Sequence, residues 1–147
     1  MLADGLAYAP DLRGADLQKT NLQQAYLGSR AGREVDLSGA DFYRADLTGA
    51  SLKGATARQA VFYQSRLVNT VFRDADLTEA NFYEADLSGA LFTGERLRLS
   101  GANFAHARNV PAHIAERLGE AGVYGDPTPS GRPTQLAPSV FLSRPGS

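Results

Sequence analysis

A five-residue period runs through most of this chain and excludes the ordinary secondary structures as its carrier. Every fifth residue from Leu12 to Leu97 gives 18 positions, of which 11 are Leu and 5 are Phe; only Gly32 and Ala57 interrupt the series. Two residues before each centre stands Ala 11 times and Ser or Thr 3 times, and the residue just before it is Asp or Asn 9 times, so the unit reads A(D/N)(L/F)xx. An α-helix turns about 100° per residue, so a five-residue step would rotate the apolar position by about 140° and leave no apolar face. A straight strand alternates its side chains, so an odd period would send successive Leu residues to opposite faces. The centre and the small residue two before it do share a face, as Ala15 and Leu17 would. The chain must then bend within two residues to aim Thr20 inward again, which gives a coil with one corner per repeat. Composition agrees: 23 Ala, 18 Leu and 15 Gly against 7 Val and 1 Ile leave little β-branched material for an ordinary sheet.

A longer period counts the corners. Phe42, Phe62 and Phe82 recur at every fourth repeat, each followed by Tyr43, Tyr63 and Tyr83, and the segment from Ala40 to Ala50 is echoed from Ala80 to Ala90. Four repeats per turn would stack like on like. On these residues the chain resembles the pentapeptide repeat protein family over about residues 10–109. The resemblance implies an all-β solenoid, a right-handed quadrilateral β-helix of roughly five coils spaced about 4.8 Å apart. Leu37, Phe42, Leu47, Phe62, Phe72, Leu77, Phe82 and Leu87 would form its inward ladder.

The ends read differently. Residues 1–9 are expected to cap the first coil. Phe104 rather than Ala102 is the next plausible centre after Leu97, which places a small bulge over Arg98 to Gly101. Pro111 suits the first turn of a helix, and Val110, Ile114 and Leu118 share a stripe, so residues 110–122 read as a short C-terminal capping α-helix. Residues 123–147 read as an extended tail, with five prolines from Asp126 onward and an apolar Val140-Phe141-Leu142 that could dock.

The sequence carries no catalytic signature. Cysteine is absent and the two histidines, His106 and His113, lack acidic companions at metal-ligand spacing, so no metal site is expected. The Asp residues before Leu recur with the repeat and read as a solvated surface rather than an acid/base couple. No phosphate-binding glycine loop, nucleophile elbow or cofactor fingerprint occurs, so no cofactor and no enzyme activity are expected. The start lacks a signal peptide and no window approaches a membrane-spanning apolar run; a cytoplasmic protein without membrane contact is the expectation. A formal net charge of −1 supplies no field for direct nucleic-acid attraction.

Function would then lie on the outer faces, read in columns one turn apart. Arg13, Arg33, Lys53 and Arg73 would form a basic column, open to a bound anion but more simply neutralised by Asp16, Asp36 and Asp76 around the corner. Gln23, Tyr43, Tyr63 and Tyr83 would form a second column, with Asp41, Asp46, Asp86 and Glu84 at its margin. Exposed tyrosines suit a partner surface, and stacking between coils accounts for them equally well.

The resemblance implies two kinds of role. Members of the Qnr and MfpA type are dimeric, DNA-mimicking rods that act on DNA gyrase and confer quinolone resistance, joined at a C-terminal helix; by that likeness the partner would be gyrase or another topoisomerase, with a homodimer through the C-terminal end. Residues 1–110 carry 13 acidic and 12 basic side chains, without the acidic excess of a DNA mimic and without a long inserted loop. The other role is a regulatory protein-interaction scaffold whose Tyr column or tail docks a cellular partner.

Overall fold

The computed structural model describes residues 11–30 and 33–125. The expected cap over residues 1–9, Gly32 of the centre series, and residues 126–147 with Val140, Phe141 and Leu142 lie outside the described residues. Within them the chain forms short parallel bridges once per repeat, pairing Asp36 with Thr56, Asp41 with Val61, Asp46 with Arg66 and Ser51 with Val71. Each partner stands four repeats further along the chain, so four ladders run side by side along a coil with four corners. We number the faces by the residue preceding each centre. Face 1 carries Asp11, Asp36, Thr56, Asp76 and Arg98, and face 2 carries Asp16, Asp41, Val61, Asn81 and Asn103. Face 3 carries Asn21, Asp46, Arg66, Asp86 and Arg108, and face 4 carries Tyr26, Ser51, Val71 and Leu91.

Where the period holds, the corners are β-turns. The N–H of the next small residue donates to the carbonyl of the centre, Ala40 to Leu37, Ala45 to Phe42 and Ala50 to Leu47, all at 2.9 Å. The second residue after the centre takes a positive φ, +60° at Arg44 and +73° at Gly49, as the third position of such a turn demands. Among the described residues eleven non-glycine side chains occupy this left-handed region, against a cost of about 1–2 kcal/mol each. The Asp or Asn before the centre helps offset that cost. Its Oδ1 accepts the N–H just after the centre, Asp36 from Ser38 at 2.9 Å, Asp46 from Thr48 at 3.0 Å and Asn81 from Tyr83 at 3.0 Å. The recurrent Asp is thus a corner brace.

The centres fill the interior. Phe42, Phe62, Phe82 and Phe104 stack nearly parallel at 4.9, 5.0 and 4.8 Å, and Phe72 stacks on Phe92 at 4.8 Å. The two stacks meet edge to face at 5.8 Å, as between Phe62 and Phe72 at 84°. Leu37, Leu47, Leu77 and Leu87 are fully buried beside them. Such a burial stabilises by about 1.5–3 kcal/mol per side chain, and an aromatic pair by about 0.5–1.5 kcal/mol more. The buried hydroxyls of Ser65 and Thr70 donate to the carbonyls of Phe62 and Leu47, so neither is left unsatisfied.

The period slips twice, both times at the corner between faces 4 and 1. In the first described coil each partner stands five repeats away instead of four, from Asp11 with Asp36 to Tyr26 with Ser51. The surplus repeat falls between Ser29 and Val35, where an antiparallel bridge joins Arg30 and Arg33. Just before it, a Cβ on Gly28 would fall 2.5 Å from the Lys53 carbonyl oxygen, so only glycine lets the two coils approach there. At the other end Asp76 pairs with Arg98 and Asn81 with Asn103, a step longer than four repeats by the two residues Glu95 and Arg96. The bulge expected over Arg98 to Gly101 therefore lies earlier in the chain. Asp74 Oδ1 holds the loop by accepting the Arg96 N–H at 3.0 Å, and Leu99, 4% exposed, takes the place next to Leu77 that the five-residue count gives to Leu97.

The cap departs from the expected helix over residues 110–122. Helix α1 spans only Ala112–Ala115, burying Ile114. The chain turns back through Gly119 to Gly122, with φ +80° at Gly122, and pairs antiparallel with the last coil. Tyr124 N–H donates to the Ala102 carbonyl at 2.9 Å and Phe104 N–H to the Gly122 carbonyl at 2.8 Å. The open ladder edge offers backbone partners that a longer helix would leave unmet, which is why the helix stops. Among the described residues no helix is long and apolar enough to cross a membrane.

Candidate interaction surface

The tyrosine column exists but is not open along its length. Tyr43 stacks on Tyr63 at 5.3 Å, and Tyr63 meets Tyr83 at 5.4 Å. Its neighbour in the first described coil is Gln18 rather than Gln23, because the inserted loop shifts that coil by one repeat: Lys19 N–H donates to the Tyr43 carbonyl, and Gln24 N–H to that of Thr48. At the other end the returning chain covers Tyr83, which is 7% exposed and packs with Ala105 and Val123, with Tyr63 and Ala121 against the cluster. His106 presents an edge to its ring at 5.4 Å. The expected exposed triplet is thus two half-buried tyrosines and one buried one. Nothing in the five-residue period signals the return of Val123 across face 2.

The acidic margin is engaged within the repeats. Asp41 accepts Tyr43 N–H and Gln18 Nε2, both at 3.0 Å. Glu84 accepts Gln64 Nε2 at 2.7 Å, and Gln64 in turn accepts Arg44 Nε at 3.1 Å, a polar rung across three coils. The Thr48 hydroxyl, donating at 2.6 Å, lowers the Asp46 carboxyl below its ordinary range, with Gln23 and Arg66 assisting against partial burial. Burial pushes Asp86 up, but the Ser88 N–H and hydroxyl, the Asn109 amide and the Arg108 charge outweigh it and lower the group overall. On face 3 these residues make an alternating series, Asp46, Arg66, Asp86 and Arg108, with Arg66–Asp46 at 3.9 Å and Arg108–Asp86 at 3.8 Å.

The basic column is broken up by the same loop. Lys53 and Arg73 remain adjacent, Gly54 N–H donating to the Arg73 carbonyl. Arg33 lies in the loop, and Arg13 stands on face 1 in register with Ser38. Two hydrogen bonds from Arg13, at 2.8 and 2.7 Å, hold the Asp11 carboxyl down to about 2. Between the two insertions lies a groove of about 480 Å³, where Lys53, Arg96 and Arg98 face Glu34, Asp74 and Asp76. Its charges balance. No cluster of His, Asp or Glu suited to a metal occurs among the described residues.

What the five-residue count overlooks is face 4. Tyr26 and Leu91 are the exposed large hydrophobics of the described residues, at 42% and 50%, with Val71 between them half-buried. A signal exists in the sequence: on this face the position usually held by Asp or Asn is Tyr, Ser, Val and Leu.

The model for pentapeptide repeats matches residues 33–62 and 58–94, in 8 copies. No curated protein matches. Among solved structures the chain is similar to the pentapeptide repeat protein Rfr23 of the cyanobacterium Cyanothece 51142, at 22% identity and a TM-score of 0.49, over 69% of this chain and 81% of that one. HetL of Nostoc sp. PCC 7120, a pentapeptide repeat protein involved in heterocyst differentiation regulation, aligns at 24% identity and a TM-score of 0.46, over 65% of this chain and 51% of HetL. The plasmid-mediated fluoroquinolone resistance protein QnrB1 aligns over 95% of this chain and 87% of its own at 17% identity, with a TM-score of only 0.22. The family match and the four-cornered ladder that carries it make residues 33–94 of this chain a run of pentapeptide repeats.

Proposed function

We propose that the chain is a non-enzymatic protein-interaction module. The observation that carries this is the division of labour on its surface: the carboxylates of faces 1 to 3 brace corners and pair within the repeat, whereas face 4 leaves Tyr26 and Leu91 open to solvent. A monomer gains nothing by exposing such side chains in a line, and a partner surface does. A photocrosslinking residue placed singly at Arg58, Tyr43, Arg66 and Leu91 samples the four faces in the source cell. A dominant adduct with one protein from at least one face is the expected result; no adduct from any face overturns the reading.

A topoisomerase is the sharper form of this reading, and it comes from the likeness to the Qnr and MfpA type. The alternating charges of face 3 do not favour a duplex-like acidic strip, so the general module is the reading preferred here. Titration into DNA gyrase, following supercoiling and quinolone-induced cleavage, separates the two: inhibition or protection at stoichiometric protein supports the topoisomerase, and no effect at large excess rejects it. A cytoplasmic site of action and a homodimer through the C-terminal end belong to the same proposal. The dimer is tested by light scattering on the full chain.

A further inference from the structure

We propose that face 4 docks an acidic amphipathic helix of a partner protein. This rests on the interaction reading above and names its surface. Tyr26, Ser51, Val71 and Leu91 stand in one column, the small Ser51 interrupting its apolar members, and Leu52, Phe72 and Phe92 are buried behind the last three, so the column is rigid. Beside it runs Gly28, Lys53, Arg73 and Thr93, and Arg30 lies over the Tyr26 ring at 4.3 Å. Faces 1, 2 and 3 all bear carboxylates in their ladders; the ladder of face 4 bears none among the described residues. Asp74, at the corner, accepts the Arg96 N–H through Oδ1 at 3.0 Å and pairs with Arg73 Nε only at 3.9 Å through Oδ2, and the Arg73 side chain stays more than half exposed. An apolar stripe with a cationic margin calls for apolar side chains flanked by Asp or Glu.

Length fits a helix. Three coil steps of about 4.8 Å separate Tyr26 from Leu91, roughly 14 Å, which about ten helical residues at 1.5 Å rise would cover. A second copy is a poorer occupant, because Lys53 and Arg73 would meet cations of the same column. The chain's own residues 126–147 carry Arg132 and Arg144 against Asp126, the wrong sign for this margin. Nucleic acid would leave the apolar stripe without a counterpart.

The test uses the full chain and a labelled synthetic helix of about four turns with a Leu stripe flanked by Glu, read by fluorescence anisotropy. The Glu-flanked peptide is expected to bind at least tenfold more tightly than the same peptide flanked by Lys. Arg73→Glu should reverse that preference, and Leu91→Ser should weaken binding at least fivefold with unchanged thermal melts, since both side chains are exposed. Equal binding of the two peptides, or indifference to both substitutions, overturns the proposal. So does tighter binding of single-stranded DNA or phosphatidylserine vesicles with the same residue dependence. If neither peptide binds while crosslinking succeeds from Tyr43 or Arg66, the assignment to face 4 falls and the interaction module stands.

Discussion

Phe104 lies on Phe82 at a centroid distance of 4.8 Å, although the chain takes two more residues to reach it than it takes from Phe62 to Phe82. The stack crosses the insertion unbroken, so the interior sets the register and the surplus chain is expelled. Leu99, the neighbour of Leu77 in the ladder, is therefore the residue to truncate. Leu99→Ala should cost about 2–4 kcal/mol in urea melts, and Leu97→Ala, only partly buried, under about 1 kcal/mol. The reverse order would show that the extra residues lie after Leu97.

Tyr83 and Tyr43 look alike in sequence and should behave differently. Tyr83→Ala removes a ring buried against Ala105 and Val123 and should lower stability by about 2–4 kcal/mol. Tyr43→Ala loses one stacking neighbour and should cost about 1 kcal/mol. Thermal and urea melts of the two single variants decide it; equal losses would mean that the returning strand does not close over face 2.

Acid should loosen face 3. Asp46 and Asp86 have folded-state values below those of the unfolded chain, so their contribution is fully present above the unfolded carboxylate range near pH 4 and fades as pH falls through the lower folded values. The melting temperature should hold from neutral pH down to about 5 and drop below about 4. In Asp46→Asn with Asp86→Asn the drop should be shallower, and an unchanged slope would remove these two groups from the acid transition.

Gly28 is required by contact, not by backbone angle. A methyl group there meets the Lys53 carbonyl oxygen and amide nitrogen at 2.5 and 2.8 Å, so Gly28→Ala must push the first described coil off the next. Hydrogen exchange should show faster amides at Leu27 and Ser29, which donate to Ser51 and Lys53, with those of the Phe72 coil unaffected. Uniform protection across both coils would refute the tight approach.

The fold is legible in the sequence because the period is local and repeated, and the columns are not because register is a sum. An insertion one repeat long keeps every later Leu and Phe in phase while rotating the preceding coil by one face. The surplus repeat between Tyr26 and Asp36 is therefore invisible to counting by fives, and it alone moves Arg13 and Gln23 out of the columns that a four-repeat turn assigns them. The second, shorter insertion does break phase, and Phe104 betrays it, but the apolar Leu97 disguises where it begins. The burial of Tyr83 is hidden for another reason. Its cover comes from Val123, beyond the repeats, where no periodicity operates.

Both length changes leave the ladder at the same corner, between faces 4 and 1. That corner is the molecule's splice point. A foreign segment grafted there, next to Arg30 or beside Glu95, would hang from the rod as a tether without turning the faces. All four faces can thus stay fixed as a ruled surface while that one corner carries cargo.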